Sequence, residues 1–353
     1  MENNKKMAFL AHWVETWNWL LWFCPCLHNH PEKRYWLVWL YPIYWTASAA
    51  YLLGKKAYDV VDRFNFRITK TDGGGIACRT VLLRNFAWHF FFPAWRGNIR
   101  KRILMAVLDL QDEVDVIGLG ALTKDERVTR GGKWIVDELG DRLRVPIVHG
   151  DTLTAATVIH QALAIIEKYG IKSPVFLTGA TSKIGRAVAI YLAKSGIKVL
   201  MYTQDECRFK KIAEEAGEDA GNLRQVSSLG DGIVSSFWIT GKAIPSGSEL
   251  YRYMPEGAVV LNFAVPNPLK KKDFKRRHDI KSIEGGLLAY DPASTDLCFT
   301  MRLKRGVTYA CHAGTIVHAM KGWSDHEIGP VDMGKLNEVW DAAVEAGFFL
   351  PSI

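Results

Sequence analysis

Residues 175–194 read VFLTGATSKIGRAVAIYLAK: an apolar run of strand length, a turn holding Gly179 and Gly185, then an amphipathic helix. A strand that passes directly into a helix over such a turn commits the chain around it to parallel strands joined by helical crossovers. The following sequence keeps that alternation. KVLMYT reads as a strand, RFKKIAEEAG as a helix, and SSFWIT and AVVLNFA as two further strands. The expectation is an α/β fold with a Rossmann-like, doubly wound parallel sheet over residues 171–300.

Upstream, GNIRKRILMAVLDLQD (97–112) has the spacing of an amphipathic helix, and VDVIGLGAL and RVPIVHG read as short buried strands. Residues 151–169 open on Asp-Thr-Leu-Thr, a good start for a helix that runs to Tyr169 and Gly170. These segments predict a substrate-binding domain over 57–170. A C-terminal helical segment is expected over 301–353.

The first 56 residues differ in composition. Nine of the thirteen tryptophans lie within the first 97 positions, and residues 7–27 and 35–53 are apolar runs near the length that crosses a bilayer. Indoles suit the headgroup region. Glu15 and His12 weaken the first run and Pro42 interrupts the second. A membrane-associated helical hairpin, spanning or interfacial, is therefore expected over 1–56, with the active domain in the cytosol or stroma and the membrane that of the endoplasmic reticulum or chloroplast. No signal-peptide cleavage pattern follows the start.

A net charge of +8 favours anionic partners, lipid headgroups and nucleotide phosphates among them. No zinc-finger spacing or basic heptad region points to nucleic acid, and none is expected as a partner. The six cysteines lack the density of a disulfide framework and read as thiols. The ten histidines form no metal-binding array, so no metal is expected. The basic run from Lys270 to Arg277 can meet an acidic carrier protein or anionic lipid.

The turn itself is the candidate cofactor site. Gly179 permits a tight bend, Gly185 lets the helix approach the sheet, and the helix start can hold a pyrophosphate. Thr178, Gly179, Ala180, Thr181, Ser182, Lys183, Ile184 and Gly185 are its candidate residues, with Ser182 where a third glycine is common. At the end of the next strand, Thr203 and Gln204 are neutral and Arg208, Lys210 and Lys211 follow, which favours NADPH, with Thr203 and Arg208 as further cofactor residues. Asp205 would favour NADH if the strand ended one residue later. No Tyr-x-x-x-Lys pair follows the turn, and Tyr51 to Lys55, which has the spacing, precedes it. The candidate nucleophile is Cys311, set among Ala310, Ala313 and Gly314 at a helix start, with His312 and His318 the nearest candidate proton donors.

At these residues the chain resembles the cyanobacterial long-chain fatty acyl-ACP reductases and the C-terminal half of plant eceriferum-type wax-biosynthesis proteins. The shared pattern runs over about residues 80–350 in FPAWRGNIRKRI, HGDTLTAA, GATSKIGRAV, IEGGLLAY and CHAGTIVHAMKGW. HGDTLTAA and IVHAMKGW look like the plant proteins, whereas Cys311 with an intact glycine turn looks like the bacterial enzyme. The resemblance implies a NADPH-dependent reductase. Cys311 would take the acyl chain from acyl-ACP or acyl-CoA as a thioester, and hydride from NADPH would release it as a fatty aldehyde, the feed of a separate alkane- or wax-forming enzyme. The alternatives are an inactive scaffold of an alkane-forming complex, or an NADP-dependent reductase of another carbonyl compound.

Overall fold

A computed structural model describes residues 5–13, 46, 51, 54–68, 74–242, 247–264, 267–269, 271–298, 301 and 303–352. The chain divides into two compact units. The first comprises 1–150, 292–302 and 315–329, and the second 151–291, 303–314 and 330–353.

The first unit holds a five-stranded sheet ordered β2-β3-β1-β4-β5. Its strands are β1 (Lys5–Trp13), β2 (Tyr58–Arg67), β3 (Gly75–Phe86), β4 (Val116–Leu119) and β5 (Ile147–Val148). All neighbours are parallel except β2 and β3. Helix α1 (Arg96–Leu110) packs Ile99, Ile103, Ala106 and Val107 into a core with Ala8 and Leu10 of β1 and Ile117 and Leu119 of β4. Helix α2 (Lys133–Leu139) adds Ile135 and Leu139 to it.

The N-terminal segment requires a correction. Residues 7–13, read as the start of a membrane helix, form the central strand β1, with Met7, Ala8 and Leu10 at 0% exposure. A strand covered on both faces is apolar without interruption, as a membrane segment is, so hydropathy alone does not separate the two. Each large side chain buried here contributes roughly 1.5–3 kcal/mol, which the sheet supplies as readily as lipid. The rest of the two apolar runs, apart from Thr46, Tyr51 and the chain from Gly54, lies outside the described residues. Among the described residues no helix is long and apolar enough to cross a membrane.

The second unit holds a six-stranded sheet, all parallel, ordered β11-β10-β9-β6-β7-β8. Its strands are β6 (Val175–Thr178), β7 (Val199–Tyr202), β8 (Leu223–Val226), β9 (Phe237–Thr240), β10 (Val259–Asn262) and β11 (Lys281–Glu284). Helices α3 (Asp151–Tyr169), α4 (Lys183–Lys194) and α5 (Glu206–Ala216) accompany it. Side chains alternate between two cores. Val175, Leu177, Ile239 and Leu261 face α3 and α4, while Phe176, Trp238 and Val260 face Leu250, Met254 and Leu269. Both faces being covered explains why these strands are continuously apolar.

After a short helix α6 (Lys271–Phe274), β12 (Leu287–Ala289) pairs antiparallel with β13 (Val307–Tyr309), which leads into α7 (Ala310–Lys321). Helix α8 (Leu336–Glu345) packs on α3, with Trp340 stacked on His160 at 3.9 Å. The later part of α7 belongs to the first unit, where Thr315 lies so close to Gly118 of β4 that a Cβ there would overlap the threonine side chain. Gly118→Val should therefore destabilise the protein by about 2–3 kcal/mol, read as a lowered urea midpoint in chemical denaturation.

His12 gives this unit a pH dependence. Its ring is 2% exposed, with Nδ1 at 3.0 Å from the Trp13 carbonyl and Nε2 accepting the Leu122 N–H at 3.1 Å. A second ring proton would face that N–H, and burial lowers the pKa from 6.5 to about 4. The unfolded chain binds the proton first, so stability is retained above about pH 6.5 and lost as the pH falls toward 4. His12→Gln should remove up to ~1.4 kcal/mol per pH unit from that slope in denaturation series run between these pH values.

Candidate functional site

Strand order reverses between β6 and β9. From β6 the chain builds outward through β7 and β8, then returns to the other side with β9, β10 and β11. In open α/β sheets the crevice beyond the carboxyl ends of the strands at such a reversal is where ligands bind. Three glycines occupy it. Gly179, directly after β6, has φ +69°, and a Cβ on it would lie 2.7 Å from the carbonyl carbon of Gly241, directly after β9. A Cβ on Gly185 would overlap the Gly179 carbonyl oxygen, and one on Gly241 would overlap the Phe263 ring.

Ser182 completes the turn as the N-cap of α4. Its Oγ accepts the Gly185 N–H at 3.1 Å, and its own N–H donates to the Gly179 carbonyl at 2.9 Å. The serine thus holds internally one donor of the helix start. Ser182 is exposed and Lys183 and Ile184 are half-buried, whereas Thr178, Ala180 and Gly185 form the buried floor and Thr181 sits between. A backbone with this little room for side chains fits the pyrophosphate of a dinucleotide. Sequence reading missed Gly241; its only signal was a glycine following the apolar run SSFWIT.

At the adjacent strand end, Asp205 lies beyond β7. β7 ends at Tyr202, and Asp205 caps α5 by accepting the Arg208 N–H at 3.0 Å. Its carboxylate also pairs with the Arg208 guanidinium at 3.2 Å, and Lys210 pairs with Glu206 at 2.7 Å. Asp205 is thus committed to its helix and is not the carboxylate that ends β7. Two of the cations attributed to a 2′-phosphate are likewise engaged by acidic neighbours, although these exposed pairs are weak competitors for a doubly charged anion. Thr203 is buried, its Oγ accepting the Asp205 N–H at 3.1 Å, and Gln204 is exposed.

Cys311 is part-exposed in the first turn of α7. The start of that helix is tied to the sheet's carboxyl-end edge. Gly285 follows β11 and donates to the carbonyl of Asn262, the last residue of β10, at 2.6 Å. The carbonyl of Gly286 accepts the Ala310 N–H at 2.9 Å. The glycine turn and the backbone start of α7 are thus both tied to the carboxyl ends of one sheet, the latter through the ends of β10 and β11.

Both histidines singled out beside this thiol are buried. His312 is 1% exposed, its Nδ1 is 2.9 Å from Thr308 Oγ1, and burial lowers its pKa to about 4, so the ring is neutral near pH 7. His318 is 4% exposed, edge-on to Trp323 at 5.5 Å, and seven residues further along α7, a rise of about 10 Å. Among the described residues no group of three or more His, Cys, Asp or Glu is placed to hold a metal ion.

Residues 175–350 match the family described as CER1-like, C-terminal domain. The chain is 36% identical over 265 residues to the very-long-chain aldehyde decarbonylase GL1-2 of Oryza sativa subsp. japonica, covering 74% of this chain and 40% of that protein. It is 27% identical over 302 residues to the protein CER1-like 2 of Arabidopsis thaliana, covering 83% of this chain and 43% of that one. The chain therefore spans less than half the length of these relatives. Among solved structures, E. coli K-12 YhdH with bound NADPH overlaps 37% of this chain and 43% of its own at 16% identity and a TM-score of 0.30, a partial likeness.

The relatives overturn the expected activity. They are named for the consumption of an aldehyde, whereas reduction of an acyl-ACP or acyl-CoA thioester would produce one. The reading as a NADPH-dependent fatty acyl reductase is corrected accordingly. Residues 175–350 match the CER1-like C-terminal domain, and the chain's likeness is to the plant eceriferum-type family rather than to the cyanobacterial acyl-ACP reductases.

Proposed function

We propose that this chain binds a nicotinamide dinucleotide and acts on a very-long-chain aldehyde in hydrocarbon or wax formation. The observation that carries the reading is the convergence of Gly179, Gly185 and Gly241 where the strand order reverses. The substrate class rests on the names of the relatives. The same names support a partnership with alkane-forming chemistry.

When bound, the dinucleotide supplies hydride chemistry at its nicotinamide. The chain's own residues would hold it: the start of α4 and the Gly179 turn would take the pyrophosphate, and Thr203 and Gln204 would lie by the adenine-side ribose. A β7 end without a carboxylate, near Arg208, favours NADPH over NADH. The helix of Cys311, tied through Gly285 and Gly286 to the ends of β10 and β11, would stand on the other side of the Gly179 turn. There the thiol adds reversibly to the aldehyde carbonyl: a sulfur–carbon bond forms, the C=O π bond opens, and the thiol proton passes to the oxygen through solvent. A long apolar substrate also suits work at a lipid surface, which cell fractionation would test.

Fluorescence titration should show NADPH binding at least tenfold tighter than NADH. Gly185→Val, whose side chain must displace the Gly179 carbonyl, should weaken NADPH binding by more than tenfold, and Arg208→Ala should narrow the NADPH preference. Failure of both dinucleotides to bind, or unchanged binding by the folded Gly185→Val protein, would overturn the reading.

A further inference from the structure

One buried side chain links the long helix α3 to the loop that anchors the Cys311 helix. Gln161 is 1% exposed and uses both ends of its amide. Its Oε1 accepts the Gly286 N–H at 3.0 Å, and its Nε2 donates to the Glu284 carbonyl at 3.2 Å. The two bonds bracket Gly285 and replace the strand ladder at the point where β11 ends. Gly286 in turn accepts the N–H of Ala310, the residue before Cys311.

The surrounding packing leaves this loop little freedom. Gly286 has φ +70°, and a Cβ there would meet Thr154 Cγ2 at 3.3 Å and Val158 Cγ2 at 4.0 Å. Thr154, Val158 and Gln161 recur at i, i+4 and i+7, so one stripe of α3 faces the 284–286 loop. The opposite side of the loop is held by the Gly285 N–H on Asn262, whose side-chain oxygen accepts Thr240 Oγ at 2.8 Å. Thr240 directly precedes Gly241 of the glycine cradle. The loop is thus pinned between α3 and the strand ends, and the start of α7 hangs from it by a backbone hydrogen bond.

We propose that Gln161 is a positioning residue for Cys311: through the Gly286 carbonyl it sets where the first turn of α7, and with it the thiol, stands at the strand-end edge. This rests on Cys311 being the reactive group of the proposed function. Hydrophobic packing alone would hold α3 against the loop but would not orient the Gly286 peptide. A glutamine is required because the loop offers one donor and one acceptor that an apolar residue would leave unsatisfied.

The test is the alkylation rate of Cys311 by iodoacetamide between pH 6 and 9, followed by peptide mass spectrometry in the full chain. The exposed Cys207 of α5 serves as internal reference. Gln161→Leu removes both bonds and should change the Cys311 rate by more than fivefold while Cys207 stays within twofold. Gln161→Glu keeps the acceptor and donates to the Glu284 carbonyl only when protonated. Its Cys311 profile should approach the parent's at the acid end and depart from it as the carboxyl ionises. If Gln161→Leu does not fold, the Gln161→Glu profile decides alone. Cys311 rates within twofold of the parent at every pH in the folded variants would overturn the proposal. NADPH titration of the parent protein runs alongside, so loss of the functional reading shows there and leaves the thiol comparison intact.

Discussion

The candidate site depends on peptide backbones approaching more closely than any side chain allows. At the reversal of strand order, Gly179 after β6, Gly185 in the first turn of α4 and Gly241 after β9 stand where added Cβ atoms would meet neighbouring carbonyls or the Phe263 ring. Such crowding is costly unless it serves something, because glycine loses the most conformational freedom on folding. What the crowding leaves is a shallow surface of main chain at a helix start, suited to a phosphate group. The six parallel strands hold it rigid from below, since both their faces are packed.

The rest of the edge follows from that floor. Beyond the end of β7 lie buried Thr203 and exposed Gln204, while Asp205 caps α5. On the other side, Asn262, Gly285 and Gly286 carry hydrogen bonds from one strand end to the next and on to the helix of Cys311. Backbone geometry therefore ties the start of the Cys311 helix to the same strand ends that carry the glycine turn. The relatives are named for the consumption of an aldehyde rather than its production. A thiol able to accept an acyl group is equally able to add to an aldehyde, so its presence alone did not separate the two directions.

Much of the second unit was legible in the sequence because short-range signals and long-range packing agree there. The strand from Val175 and helices α3 and α4 lie where periodicity places them. The Gly179 to Gly185 turn was readable for the same reason: its glycines answer a local need. Gly241 was not, because it matters only through Gly179 and Phe263, which are distant in sequence. β8 escaped notice since NLRQV mixes polar residues into an edge strand. β1 was misread because a central strand has no polar face to betray its period. β2 and β3 form a pair in which much of β2 is only half-buried, so their composition looked mixed. The histidines looked reactive by position alone, and burial of His312 against Thr308 is a tertiary fact that no spacing announces.

Hydrogen–deuterium exchange of the full chain with and without saturating NADPH tests the central claim most directly. The account predicts slowed exchange confined chiefly to the amides of 179–186 and of 240–242, on the two strands that flank the reversal. Protection elsewhere with none at these two segments, under conditions where the cofactor is bound, would contradict it.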